Sequence, residues 1–197
     1  MNKNKLLIFS KNKYKIWEIK KILPNKNLKV LTLNDFKKIR SPKENGSTFQ
    51  KNAMIKSKFG YKNFNMPCIA DDSGICIEAL NNGPGINSNR YQKKLGGYKK
   101  TFKKILQNVK EKKSSKAFFV SVISYTYAKN KTKTFTGIKK GRISKKPLGM
   151  RGFHYDPIFI PRNHLLTYGQ MSKKKKNEIS HRSIAIKKLI LFLKKTN

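Results

Sequence analysis

The sequence predicts an α/β fold, and three observations carry that reading. A short apolar run opens the chain, an amphipathic helical stretch follows, and an extended segment comes next. Strand, helix and strand in that order build a sheet covered by helices. The apolar run is Leu6 to Phe9, the pattern of a strand buried on both faces. In the helix Ile16, Ile19 and Leu23 recur at helical spacing and Pro24 closes the element, after which Lys29 to Leu33 resumes an extended pattern.

Further along, a second helix is expected from Thr48 to Asn63, with Phe49, Ala53, Met54 and Ile55 near its apolar stripe. Pro67 to Ala70 reads as a strand that runs straight into Asp71. A third amphipathic helix covers Lys99 to Val109, and Ala117 to Tyr127, rich in β-branched and aromatic residues, reads as a long strand. Thr134 to Ile143 is its expected partner, bulged or sharply twisted at Gly137 and Gly141. A last helix runs from Ser180 to Leu193, where Ile184, Leu189, Ile190 and Leu193 approximate one face. No internal repeat is present, and the lysine run from Lys173 to Lys176 reads as a solvated loop or helix start.

With 197 residues, 37% of them hydrophobic, the chain suits one domain spanning 1–197. Its formal net charge of +38 raises the possibility of a nucleic-acid-binding protein. The distribution counts against it: lysine dominates along the whole length, and arginine occurs only at Arg40, Arg90, Arg142, Arg151, Arg162 and Arg182. Readers of bases and phosphates favour arginine for its planar, bidentate fork. The field suits a polyanionic small substrate instead. Cys68 and Cys76 fall in or beside a buried strand and read as small core residues. The apolar runs at Leu6 to Phe9 and Leu189 to Leu193 are far short of the roughly 20 residues a bilayer span needs. No signal-peptide pattern opens the chain, so no membrane association and a cytoplasmic address are expected.

Five groups of residues could carry chemistry. Ser10, Lys11, Asn12, Lys13, Tyr14 and Lys15 lie between the first strand and first helix, where backbone N–H groups and the helix dipole favour an anion; the same residues suit a helix N-cap. Asp71 and Asp72, followed by Ser73 and Gly74, leave an apolar strand where α/β sheets gather ligands, although Asp-Ser-Gly is also ordinary turn vocabulary. Magnesium takes one or two carboxylates plus substrate phosphates, and Glu44, before the second helix, is the companion carboxylate. Asn52 and Lys56, four apart, share one helix face, which also describes a solvent-facing pair. Phe153, His154, Tyr155 and Asp156 combine aromatic faces with a carboxylate, suited to stacking a base or to filling a core. Lys176, His181 and Arg182 offer donors for phosphate or a purine carbonyl, or exposed charges at a helix start.

In combination and order these residues resemble the inosine triphosphatase family, the XTP/dITP diphosphatases. The motifs are S-x-N-x-x-K at Ser10, Asn12 and Lys15, E-N-G-S-T-F-x-x-N-A-x-x-K from Glu44 to Lys56, and A-D-D-S-G at 70–74. P-G-I-x-S-x-R-Y from Pro84 to Tyr91, G-F-x-Y-D-P-I-F from Gly152 to Phe159 and K-x-x-I-S-H-R from Lys176 to Arg182 complete the series. The resemblance implies an elongated mixed β-sheet flanked by helices, two lobes with a central cleft, and a homodimer. It implies pyrophosphate release from ITP, dITP and XTP, with Mg2+ held by Glu44 and Asp72 and with Asp72 as general base. Phosphates would fall to Ser10 through Lys15 and to Lys56. The nucleotide and its base would fall to Ser73, Phe153 to Asp156, Lys176, His181 and Arg182, with Asn52 and Asp71 beside them. His154 stands where glycine is usual, Asn89 where alanine is, and Lys51 and Gln170 replace frequent glutamates. A Maf-like pyrophosphatase acting on other modified nucleotides is the neighbouring enzymatic reading.

Overall fold

The computed structural model describes residues 5–23, 28–37 and 39–196; the helix stop expected at Pro24 lies outside the described residues. In chain order the elements are β1 (Lys5–Ile8), α1 (Lys13–Ile22), β2 (Lys29–Thr32), α2 (Phe49–Phe64), β3 (Cys68–Ile77) and β4 (Gly83–Pro84). They continue with α3 (Ser88–Lys94), α4 (Tyr98–Glu111), β5 (Lys116–Ala128), β6 (Lys131–Ile143), β7 (Phe159–Pro161), α5 (Lys173–Ile179) and α6 (His181–Thr196). The strands form one mixed sheet in the order β2-β1-β3-β5-β6-β7, with β4 on β3. β1 runs parallel to β2 and β3, and β4 and β7 are antiparallel to β3 and β6. This is the mixed sheet flanked by helices that the motifs imply.

Alternate residues of β1 serve different cores. Leu6 and Ile8 join a cluster with Ile19, Leu23, Ile69, Ala185, Ile186 and Leu189, whereas Leu7 and Phe9 join Cys68 and Ala70. That is why the run is continuously apolar: each side chain is buried, whichever face it points to. A third cluster gathers Ile75, Ile77, Phe102, Ile105, Phe119, Tyr155, Ile158, Phe159 and Tyr168.

By packing, the chain forms two compact units. Unit 1 comprises Met1–Asp72, Ser121–Gly137 and Arg182–Asn197, and unit 2 comprises Ser73–Val120 and Ile138–His181. The first two clusters belong to unit 1 and the third to unit 2. Both units are built from interleaved segments of the chain.

Several local expectations are corrected. The strand expected to end at Ala70 continues to Ile77, so Asp71, Asp72, Ser73 and Gly74 are mid-strand and form no turn. Gly74 is required there for space: a Cβ would meet the Gly85 carbonyl oxygen and come within 2.5 Å of Ser88 Oγ. The buried stripe of α2 is Asn52, Ala53, Ser57 and Gly60 rather than Met54 and Ile55. Small residues let that helix approach closely, and Ser57 Oγ bonds the hydroxyls of Ser124 and Thr126 in β5 at 2.8 and 2.9 Å. Gly141 lies inside an unbroken β6, and its missing side chain admits Phe159 and the Ile160 carbonyl of β7. The lysine run belongs to α5, with Lys176 buried. α3, for which the sequence reading assigned no element, begins at Ser88 within the Pro84 to Tyr91 motif.

Candidate active site

In unit 1 the adjacent aspartates divide their work because successive strand residues point to opposite faces. Asp71 is fully enclosed, with Lys15 Nζ at 2.7 Å, a guanidinium nitrogen of Arg182 at 3.3 Å and Ser121 Oγ donating at 2.5 Å. Arg182 is itself buried and also pairs with the buried Glu18 of α1. Burial alone would raise the Asp71 carboxyl, but Arg182 and Lys15 outweigh it and hold the group far below the usual carboxylate range.

Asp72 has the opposite balance. Lys56 Nζ lies 3.4 Å from its Oδ1 and 2.8 Å from Glu44 Oε2, so one ammonium marks where the two carboxylates converge. Burial of Asp72 outweighs the attraction of Lys56 and Lys15, and its pKa is raised. Two adjacent acids with pKa values driven apart are a recurring arrangement for separating an electrostatic role from a proton-accepting one. Asp72 Oδ2 is buried without a hydrogen-bond partner among the described residues, while its Oδ1 shares the Lys56 ammonium with Glu44. No group of three or more His, Cys, Asp or Glu residues suited to a metal occurs among the described residues. Glu44 and Asp72 are two carboxylates around one ammonium, a donor set that could hold magnesium together with substrate phosphates and water.

The turn before α1 is organised by Asn12. Its side chain caps the helix by accepting from the N–H groups of Tyr14 and Lys15 at 3.0 and 3.2 Å, while Ser10 Oγ accepts from the Asn12 N–H at 3.2 Å. Lys11, Lys13 and Tyr14 are exposed. Anion binding and helix capping, the two readings of this segment, are compatible, because the cap uses the Asn12 carbonyl and leaves the exposed ammonium groups available.

In unit 2, Gly152 takes φ +84° and a Cβ there would strike Asp156. The turn thus brings the Phe153 N–H to Asp156 Oδ2 at 2.7 Å, and Lys176 Nζ donates to the same oxygen at 2.6 Å. That ammonium lies 4.2 Å from the centre of the Phe153 ring, a cation–π contact that fixes one ring face. His154 adopts φ +58°, stacks on Tyr98 at 5.6 Å and meets Phe153 edge-on at 4.8 Å. Burial, with the nearby Asp156 charge, pushes the Tyr98 phenol up to about 12. His181 stacks on Phe119 at 4.6 Å. The result is an aromatic wall with a buried carboxylate and ammonium behind it.

The sequence model of the Ham1 family matches residues 6–192. The chain belongs to the Ham1 family. A dITP/XTP pyrophosphatase of Flavobacterium psychrophilum is 38% identical over 189 residues, covering 96% of this chain and 98% of its own. One from Aquifex aeolicus is 35% identical with 96% of each chain covered. Among solved structures, the Ham1 protein of Staphylococcus aureus aligns with TM-score 0.85 and 36% identity over 98% of this chain and 100% of its own. The HAM1 protein of Coxiella burnetii aligns with TM-score 0.86 and 32% identity over 97% and 98%.

In this Ham1-family chain the structure brings Glu44, Lys56 and Asp72 together, and separately Lys15, Asp71 and Arg182. It likewise brings together Phe153, Asp156 and Lys176. At three of the expected site residues burial defines the surroundings. Asn52 is neither solvent-facing nor free to meet a ligand through its carbonyl, because it is 3% exposed and its Oδ1 accepts the Gly46 N–H at 2.8 Å. Tyr155 is core: it is 1% exposed and its hydroxyl donates to the Ser88 carbonyl at 2.7 Å. Arg182 is no exposed charge at a helix start but the centre of an ion-pair chain joining Glu18 to Asp71. Ser73 follows Asp72 in β3, half-buried.

The sequence motifs leave out Glu18, Ser121 and Tyr98. Only Glu18 left a signal: it is one of nine acidic residues, three positions after Lys15 and beside the core residue Ile19, so an acid points along the buried side of its helix.

Proposed function

We propose that this protein hydrolyses triphosphates of unusual purines, namely ITP, dITP and XTP, to the nucleoside monophosphate and pyrophosphate, with Mg2+ as cofactor. The observation that carries the reading is the convergence of Glu44 and Asp72 on the one Lys56 ammonium, with the neighbouring Asp71 locked into a separate cationic cluster. The names of the relatives, dITP/XTP pyrophosphatase, support the substrate class.

Glu44 and Asp72 would hold the ion, which would supply positive charge at the substrate phosphate oxygens. Asp72 accepts a proton from water as the water oxygen bonds to the α-phosphorus; the bond to the bridging oxygen breaks, and pyrophosphate leaves with that electron pair. Lys56, Lys15 and the exposed ammonium groups of Lys11 and Lys13 neutralise the phosphate chain. This suits phosphoryl transfer, where alignment and charge neutralisation matter more than covalent help. Phe153 supplies a stacking face. On this reading Lys176 and His181 would be the donors for a 6-oxo purine, and a 6-amino purine would leave a buried donor poorly matched, which costs affinity.

Full-length protein with MgCl2 and ITP should release pyrophosphate directly and turn over ATP and GTP far more slowly. Orthophosphate as the first product, with pyrophosphatase absent, would contradict the reading. Asp72→Asn should lose turnover while keeping its circular dichroism spectrum; retained turnover would remove Asp72 from the base role. On this reading the protein works in the cytoplasm as a homodimer, and sedimentation equilibrium at physiological salt, where the field of the +38 charge is screened within about 8 Å, tests the dimer.

A further inference from the structure

Glu44 stands on a segment without helix or strand, residues 39–48, so no backbone ladder fixes its carboxylate. The segment is held from α2 instead. Thr48 caps that helix by accepting the Lys51 N–H at 3.1 Å, and Lys51 Nζ reaches Ser47 Oγ at 3.2 Å; both ties are exposed and lie past Gly46. Besides Lys56, which reaches the Glu44 carboxylate itself, α2 offers the Asn52 side-chain carbonyl, which accepts the Gly46 N–H at 2.8 Å while Asn52 is 3% exposed. The fit is close, since a Cβ on Gly46 would stand 2.7 Å from Lys51 Cβ and 2.8 Å from Asn52 Oδ1. One turn further along the same face, Lys56 meets Glu44 at 2.8 Å and Asp72 at 3.4 Å.

We propose that Asn52 is a positioning residue for the divalent cation: by fixing the backbone at Gly46 it sets the Glu44 carboxylate where it converges with Asp72. A buried acceptor on a rigid helix thus converts an irregular strap into a placed ligand, as outer-shell hydrogen bonds commonly do at metal sites. The inference rests on reading Glu44 and Asp72 as the metal-holding pair.

The test titrates Mn2+ into full-length protein without nucleotide, following the free ion by electron paramagnetic resonance. Asn52→Leu, which keeps the bulk and loses the acceptor, should weaken Mn2+ roughly tenfold to a hundredfold. Asn52→Asp retains the acceptor and should bind as the wild type does. In a Glu44→Gln background, Asn52→Leu should add little further loss, because two residues acting through one group are not additive. Circular dichroism checks each variant, and Asn52→Ala carries the same comparison should the leucine variant fail to fold. Unchanged Mn2+ affinity in Asn52→Leu overturns the proposal, as does an equal loss in the Glu44→Gln background. So does a loss in Asn52→Asp as large as in Asn52→Leu, and so does an absence of saturable Mn2+ binding by the wild type. Pyrophosphate release from ITP is measured separately: its failure alongside the expected Mn2+ pattern would sink the proposed activity and leave the positioning role standing.

Discussion

Replacing Asp71 by Asn removes one charge from a buried cluster while nearly keeping its shape. The carboxylate sits 2.7 Å from Lys15 Nζ and 3.3 Å from Arg182, so the variant leaves two cations short of their shared partner. Removing one member of a buried ion pair costs about 3–5 kcal/mol. Arg182 retains Glu18, and the asparagine oxygen can still accept from Ser121, which favours the lower end, about 3 kcal/mol. For a chain of this length that lowers Tm by about 6–12 °C. The cost also depends on pH. Asp71 is depressed in the folded state and near 3.8 when unfolded, so its contribution is complete above the unfolded value and is lost as pH falls below it. By proton linkage, the gap between wild type and variant should narrow by about 1 kcal/mol at pH 3 relative to pH 7. Urea denaturation of both proteins at the two pH values reads both quantities. A gap under about 1 kcal/mol at pH 7, or one that does not narrow at pH 3, would refute the view that Asp71 is held ionised by its two cations.

Other substitutions probe the remaining parts. Lys176→Met strands the buried Asp156 carboxylate and should cost about 3 kcal/mol, whereas Lys176→Met with Asp156→Asn should lose less than the sum in thermal melts. His154→Gly relieves a left-handed residue worth roughly 1–2 kcal/mol but forfeits ring contacts worth about 0.5–1.5 kcal/mol; stability should barely move while KM for ITP rises, and an unchanged KM would separate His154 from the substrate. Gly60→Ala sets a methyl group against Cys68 Sγ and within 2.9 Å of the Phe9 ring. It should destabilise by about 1–3 kcal/mol despite better helix propensity, and a raised melting temperature would contradict the close packing of α2.

The sequence made β1 legible because double-sided burial leaves no polar position in Leu6 to Phe9. Glu44, Lys56 and Asp72 were legible through motif order, and the structure draws them to one point. What local pattern could not reveal is how a strand carries two aspartates through its middle. Asp71 is satisfied by Lys15, Ser121 and Arg182, the last two 50 and 111 residues away, so a turn stayed open beside a ligand site. The same holds for Lys176, whose burial depends on Asp156, 20 residues earlier. A lysine run among 47 basic residues gives no hint that one of its members is internal. Asn52 looked solvent-facing because an i, i+4 polar pair usually is; here the strap it holds covers it.

The polypeptide changes unit four times, after Asp72, Val120, Gly137 and His181, and the first three crossings fall inside β3, β5 and β6. No single cut in the gene yields either body whole. Producing either unit alone would require joining segments that the gene keeps apart. A crossover at any one point therefore carries pieces of both units with it, so the two are inherited as one stretch of gene.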